Sequence, residues 1–220
     1  MEICQDIFRN SRNELAVSMH FFQSALSGLK VVPSAETQVI GTDGKLLYVS
    51  LQWLLPMFMQ NKIQINRLYL HELLHCLFCH LWSRKEREWR IWDLAADIAA
   101  ESILDELYQK PVYIRPNSFR RECYQKWREN QKVLTAEKLY YVLLKCEEEE
   151  LARLEQTVVR PAQANAVLEE KGEPPLQSGA TAADLLRRPA LHYADIAAMI
   201  GEGRGMTPFL CYCVEVELKY

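Results

Sequence analysis

The chain has 220 residues, of which 49% are hydrophobic and 25% charged, so its length suits one globular domain or a domain with an appendage. A formal net charge of −3 excludes the general basic field that attracts nucleic acid or anionic lipid, and we therefore expect neither partner. The sequence shows no export signal, no apolar run of 18 residues and no disulfide pattern among its seven cysteines, which together predict a cytoplasmic protein with reduced thiols.

The first 82 residues predict a helix, a β-hairpin and two further helices. Apolar residues recur at helical spacing over residues 3–29. The period then changes to that of strands on either side of Gly41-Thr-Asp-Gly44, which has the composition of a hairpin turn. A helix interrupted by Pro56 is predicted over residues 51–60, and the next one over approximately 61–82.

This last helix carries a His-Glu-x-x-His motif at residues 71–75. At about 100° per residue, His71 and His75 share one helical face and form a bidentate clamp for Zn²⁺. Glu72 then lies beside the position of a metal-bound water, where it acts as a general base. The motif therefore predicts a zinc site with a catalytic glutamate.

A catalytic zinc ion usually takes a third protein ligand, and several residues compete for that place. The helix predicted from Trp89 to about Tyr108 carries Asp93, Asp97 and Glu101 at intervals of four residues. Asp97 is the first choice because it is surrounded by small apolar residues, where an unaccompanied carboxylate is costly. Asp93 and Glu101 are alternates, or orient a histidine through its Nδ1–H, and His80 ligates only if the helix bends or ends near Phe78.

The remainder of the chain is predicted to be less regular. A loop is expected over residues 111–121 and a helix over 136–154. Pro, Gly, Ala, Gln and Glu dominate residues 157–190, which predicts a flexible or partly disordered segment. Residues 191–220 are expected to form a short helix and a final strand over 211–218, which either packs back on the domain or leads to a downstream domain.

The motifs HELLHCLFCHLWSR, WDLAADIAAE and TAEKLYYVLL follow the predicted hairpin, and in this order they resemble one family. It is the metallopeptidase domain that bacterial proteins carry ahead of a von Willebrand A-like domain. The resemblance covers roughly residues 10–150 and implies His71 and His75 as ligands, Glu72 as acid/base, and His80 and Asp97 as motif positions. It also implies an AAA+ ATPase partner.

We therefore expect a mainly helical α+β fold, zincin-like, with a small β-hairpin or sheet beside the His-Glu-x-x-His helix. The predicted organisation is a metallopeptidase domain over residues 1–156, the flexible segment 157–190 and the C-terminal part 191–220. The predicted function is zinc-dependent hydrolysis of a peptide or protein substrate. The alternative is a catalytically inactive, metal-stabilised module for protein interaction.

Overall fold

The computed structural model describes residues 2–129, 132–201 and 208–219. These residues are mainly helical, with two small sheets. They form two compact units, which are described separately. The first comprises Met1–Glu88 and Ala95–Ala136, and the second comprises Trp89–Leu94 and Glu137–Tyr220.

The first unit contains most of the predicted helices. The helix predicted over residues 3–29 is divided into three pieces, and a helix that was not predicted begins near the end of the expected 111–121 loop and continues beyond it. The bounds are α1 Glu2–Ser18, a 3-10 helix His20–Phe22, α2 Gln23–Leu26, α3 Leu51–Gln60, α4 Lys62–Leu77, α5 Trp89–Glu106 and α6 Ser118–Arg128. The helix α6 begins where the Asn117 side chain accepts a hydrogen bond from the Arg120 backbone N–H, a typical N-cap.

A three-stranded mixed sheet accompanies these helices. The predicted hairpin is confirmed, because β2 (Ile40–Thr42) pairs antiparallel with β3 (Leu46–Val49). A third strand, β1 (Lys30–Pro33), pairs parallel with β3, which therefore lies in the centre. The strand β1 was not predicted, because a parallel partner distant in sequence leaves no hairpin signal.

The core of this unit is formed by apolar side chains from the helices and from one face of the sheet. Phe8 and Leu15 of α1, Leu47 of β3 and Leu70 and Tyr69 of α4 are fully buried. The motif residues His71 to Leu74 thus lie on a helix most of whose side chains are buried. The core fixes the rotation of α4 and hence the direction in which its histidines point.

The end of α4 differs from the predicted end near Trp82. The helix ends at Leu77, and Cys79 takes a left-handed backbone conformation with φ 58°. The backbone N–H of His80 donates to the carbonyl of His75 at 2.9 Å, and that of Cys79 donates to Cys76 at 3.1 Å. This pair of bonds is a Schellman motif, in which a cysteine occupies the position that glycine usually takes.

The second unit is built from helices and a two-residue ladder. Its bounds are α7 Ala136–Gln156, β4 Val158–Val159, α8 Pro161–Glu170, β5 Ala180–Thr181, α9 Ala182–Leu186, α10 Tyr193–Ile200 and α11 Pro208–Lys219. The helices α7 and α10 occupy the positions predicted for helices. A separate core of fully buried side chains includes Leu154, Leu168, Leu185, Leu191 and Ile196.

Two predictions for this unit differ from the structure. Residues 157–190, predicted to be flexible, contain four regular elements. Val159, Leu168 and Leu185 of this segment are fully buried in the core, and the Asn165 side chain exchanges two hydrogen bonds with the backbone of Leu176. Residues 211–218, predicted as a strand, lie in α11. There Leu210, Cys213 and Val214 are buried at helical spacing, which outweighs the apparent two-residue alternation.

None of the described helices combines the length and the hydropathy that crossing a membrane requires.

Candidate metal centre and C-terminal helical unit

The helix α4 brings the two motif histidines to one face of the first unit. The Asn61 side chain caps the helix by accepting a hydrogen bond from the Ile63 backbone N–H. One turn apart, His71 and His75 direct their Nε2 atoms to the same point, 2.9 Å from each other. Both side chains are largely buried, with exposed fractions of 11% and 12%.

Asp97 of α5 completes the cluster, as predicted for the third ligand. Its Oδ1 lies 3.5 Å from His71 Nε2 and 3.3 Å from His75 Nε2. Atoms that bind one tetrahedral ion at about 2.0–2.1 Å are about 3.3 Å apart. Both distances to Asp97 are close to this value, and the two Nε2 atoms, 2.9 Å apart, are somewhat closer together. Within the described residues, His71, His75 and Asp97 are the group that fits a metal ion.

The other ring nitrogen of each histidine also has a partner. His71 Nδ1 lies 3.0 Å from Glu101 Oε1, and His75 Nδ1 lies 3.4 Å from His80 Nδ1. Partners of this kind orient a ligating imidazole and select the tautomer whose Nε2 is free for the metal. The Schellman motif therefore places His80 behind His75, where it orients the ring and stays outside the group of converging atoms.

The electrostatics of the cluster follow from the close contact of histidines and carboxylates. Burial lowers the pKa of His71, but Asp97 and Glu101 outweigh it and raise this pKa to about 9. Burial raises the pKa of Asp97, but His71 and His75 outweigh it and lower this pKa to about 2.

Glu72 adjoins this cluster without joining its converging atoms. Its side chain is partly buried, and burial raises its pKa, against the opposing effect of the neighbouring His71 and His75. Asp93, the fifth residue of α5, is exposed and belongs to the second compact unit. Of the three acids predicted on this helix, Asp97 and Glu101 therefore contact the histidines.

Sequence reasoning missed a set of charged residues behind Glu101. Arg67 of α4, Asp105 of α5 and Arg120 of α6 form ion pairs around this carboxylate. Two of them could have been predicted from their spacing, because Arg67 lies four residues before His71 and Asp105 lies four residues after Glu101. Nothing in the sequence indicates Arg120, which comes from a helix that was predicted as a loop.

The second unit holds a different polar cluster around buried Glu150. This carboxylate accepts a hydrogen bond from the Tyr193 hydroxyl at 2.8 Å and pairs with Arg153. Glu150 raises the pKa of Tyr193 further, in addition to the effect of burial. The cluster ties α7 to the start of α10. It thus stabilises the fold of the second unit.

Comparison with known proteins identifies a similarity in this second unit. Residues 145–220 match the family model of the tRNA modifying enzyme MnmG/GidA C-terminal helical domain. Curated relatives are tRNA uridine 5-carboxymethylaminomethyl modification enzymes MnmG. That of Latilactobacillus sakei is 40% identical over 74 residues and that of Listeria monocytogenes is 39% identical over 74 residues, each covering 33% of this chain and 12% of the relative. The enzyme of Syntrophobacter fumaroxidans is 42% identical over 72 residues, covering 32% of this chain and 11% of the relative.

These similarities correct the functional predictions made from the sequence. The relatives are tRNA modification enzymes, so the identification as a bacterial metallopeptidase is wrong, and so are peptide hydrolysis and the alternative of an inactive interaction module. The same finding contradicts three further predictions: zinc as the cofactor of a peptidase, a peptide or protein substrate, and an AAA+ partner. The prediction that nucleic acid is not a partner is also wrong.

No solved structure matches the chain, and the zincin-like fold stays a prediction. The chain spans about one eighth of the length of the curated relatives named above. Its similarity to them lies within the second unit, whose compact part begins at Glu137. Residues 145–220 are thus similar to the C-terminal helical domain of the tRNA modifying enzyme MnmG/GidA.

Proposed function

We propose that this chain takes part in tRNA modification and that residues 145–220 provide a helical domain of the MnmG C-terminal kind. The observation that carries the proposal is the correspondence between the matched residues and a compact unit with its own core. A segment that buries Leu154, Leu168, Leu185 and Ile196 among themselves has the organisation of a domain. A tRNA-modifying role also supports a cytoplasmic location.

The charge of this unit limits how it contacts tRNA. Residues 145–220 contain eight Lys and Arg against thirteen Asp and Glu, a formal charge of −5. Most basic side chains in the described part of the unit are paired with acids, as Arg187 is with Asp184 at 2.7 Å. Arg160 at the start of α8 is exposed and belongs to none of the ion pairs within the described residues. Phosphate binding therefore depends on few side chains, of which Arg160 is the first to test.

The test measures binding of the full chain to fluorescently labelled bulk bacterial tRNA by anisotropy at several salt concentrations. We expect saturable binding that weakens with salt. Arg160→Gln should weaken it and reduce the slope of log K against log salt by about 1, as expected for the loss of one phosphate contact. Arg187→Gln is the matched control, because this arginine is exposed but paired, and it should leave the slope unchanged.

Absence of binding by the wild-type protein at low salt would contradict the proposed tRNA partner. Equal effects of Arg160→Gln and Arg187→Gln would contradict the particular contact while leaving tRNA binding in place.

A second proposal concerns the first unit: His71, His75 and Asp97 bind a divalent first-row transition-metal ion. The convergence of two Nε2 atoms and one Oδ1 at 2.9–3.5 Å supports it, as do the partners on both Nδ1 atoms. Glu72 lies near these three residues and would adjoin the ion without being one of its ligands. The proposal covers metal binding and assigns no hydrolytic reaction.

Titration of the purified full chain with Co²⁺ tests this site, because the visible absorption of Co²⁺ reports four-coordinate geometry. We expect one equivalent to bind to the wild-type protein. His71→Ala should weaken the binding by more than about 100-fold, since it removes one of three ligands and leaves the others too few. His20→Ala replaces an exposed histidine outside the cluster and should bind like the wild type. Equal binding by both variants would contradict the assignment.

A further inference from the structure

Glu101 is held from two directions by arginines of different helices. Arg67 Nη2 of α4 lies 2.6 Å from Glu101 Oε2, and Arg120 Nη2 of α6 lies 2.7 Å from the same oxygen. The other carboxylate oxygen, Oε1, lies 3.0 Å from His71 Nδ1. One carboxylate oxygen of Glu101 thus pairs with the two arginines, and the other contacts the histidine.

Asp105 balances the second positive charge of this group. Its Oδ1 lies 2.5 Å from Arg67 Nη2 and its Oδ2 lies 2.8 Å from Arg120 Nη2. Two arginines and two carboxylates form a neutral quartet around side chains that are mostly buried, with Arg67 4% and Asp105 5% exposed. Each charge of the quartet is paired, and pairing favours a single geometry for buried charges, although Asp105 Oδ2 accepts no hydrogen bond.

Glu101 Oε2 receives contacts from two arginines, the arrangement of an ionised carboxylate. An ionised carboxylate accepts hydrogen bonds and donates none. In the hydrogen bond between these two residues, His71 Nδ1 is therefore the donor and Glu101 Oε1 the acceptor.

We propose that Arg120 is a positioning residue for the metal centre, acting with Arg67 through Glu101. The two arginines fix Glu101 so that His71 keeps its proton on Nδ1, which leaves the lone pair of Nε2 directed at the point shared with His75 and Asp97. The helix α6 is thereby coupled to a site that none of its residues contacts directly. The inference rests on the proposed metal site for its consequence in binding, but the tautomer of His71 is a property of the metal-free chain.

The first experiment determines the tautomer of His71 in the metal-free full chain from the ¹⁵N shifts of its ring, recorded at a pH where the ring is neutral. We expect the Nδ1–H tautomer in the wild-type protein and a substantial fraction of the Nε2–H tautomer in Arg120→Gln. The matched control is Arg128→Gln, because Arg128 lies on the same helix, is similarly exposed, contacts the same Tyr124 ring and pairs with Glu106 instead of Glu101. It should keep the wild-type tautomer.

The second experiment measures Co²⁺ affinity in the same variants. Arg120→Gln should weaken binding about 10-fold, the lower end of what loss of an orienting partner causes, whereas Arg128→Gln should leave it unchanged. Arg120→Lys should recover most of the affinity, because a single nitrogen of Arg120 makes both carboxylate contacts and an ammonium can replace it.

The outcomes separate the inference from the proposed metal site. If the wild-type chain binds no Co²⁺, the metal site is contradicted, and the tautomer measurement still decides the role of Arg120. If Arg120→Gln keeps the wild-type tautomer of His71, or if Arg128→Gln changes it equally, the positioning role is overturned.

Discussion

Two facing stripes of side chains, each spaced by four residues, form the charged interior of the first unit. Arg67, His71 and His75 lie along α4, and Asp97, Glu101 and Asp105 lie along α5. The stripes run in opposite directions, so that Arg67 meets Asp105 and Glu101, while His75 meets Asp97. A four-residue spacing keeps each stripe on one helical face, which is why six polar side chains can pair between two helices.

Arg67 supplies the first prediction at the residue scale. Arg67→Met keeps most of the side-chain volume but leaves buried Asp105 with a single cationic partner, and we expect a loss of about 3–5 kcal/mol in the free energy of unfolding. Urea denaturation measures it. Arg9→Met is the control, because its i,i+3 pair with Asp6 is exposed and should contribute less than about 1 kcal/mol. Similar losses in both variants would show that the buried quartet has no special role.

Residue-level chemistry was readable from the sequence only in part. His71, His75 and Asp97 were predicted to converge, and the structure brings them together. Asp93 continues the same four-residue spacing but lies outside the cluster. The spacing of residues on one helix does not show where the facing helix ends. Arg120 could not be found, since its partners are 19 and 15 residues away in sequence and no local pattern connects them.

At the scale of elements, the end of α4 decides where His80 lies. The predicted helix continued to Trp82, which would place His80 on the opposite side from His71. The Schellman motif at Cys79 turns the chain back and brings the His80 ring to 5.1 Å from that of His75, measured between centroids. A cysteine in a left-handed conformation gave no sequence signal, because glycine is the residue usually expected there.

This helix end gives the second prediction. Cys79→Gly should stabilise the protein by up to about 1 kcal/mol, because glycine adopts a positive φ without the steric cost that Cys79 bears at 58°. Cys76→Gly serves as the contrasting variant: it lies within the helix and should destabilise by about 1 kcal/mol or more. The free energies of unfolding in urea compare the two. Destabilisation by both substitutions to the same extent would contradict the strained helix end.

The turn between β2 and β3 gives a third prediction with an internal control. Gly44 has φ 90°, and a Cβ there would lie 2.5 Å from the Trp82 ring, whereas a Cβ at Gly41 meets nothing within 4 Å. Gly44→Ala should therefore cost about 1–2 kcal/mol and displace Trp82, an effect visible in tryptophan fluorescence. Gly41→Ala should change both quantities much less. Equal effects would mean that the turn has no requirement for glycine at residue 44.

For the whole molecule, the two compact units separate the two proposed functions. The cluster of His71, His75 and Asp97 lies within the first unit, and the similarity to the MnmG/GidA C-terminal helical domain lies within residues 145–220. Each unit has its own core, so a ligand of one need not stabilise the other. This organisation predicts where metal binding should protect the chain.

Hydrogen exchange with and without Co²⁺ tests that fourth prediction. At a free Co²⁺ concentration about 100 times Kd, binding should stabilise the first unit by about 2.7 kcal/mol and slow exchange in α4 and α5 around His71 and Asp97. Peptides from α8 and α10 should exchange at the same rate with or without the ion. The His71→Ala variant should show no protection in either unit. Protection distributed evenly over α4, α8 and α10 would contradict a site confined to the first unit.

Features that depend on neighbours along the chain could be predicted from the sequence. These are most of the helices, the hairpin at Gly41–Gly44 and the presence of His71 and His75 on one face, because side-chain direction within an element follows from its period. Tertiary structure alone decided the parallel pairing of β1, the helix at residues 208–219, the choice of Asp97 and Glu101 over Asp93, and the contact of Arg120 with Glu101. Each of these depends on which elements pack together, and the free energy of that packing comes from residues far apart in the sequence.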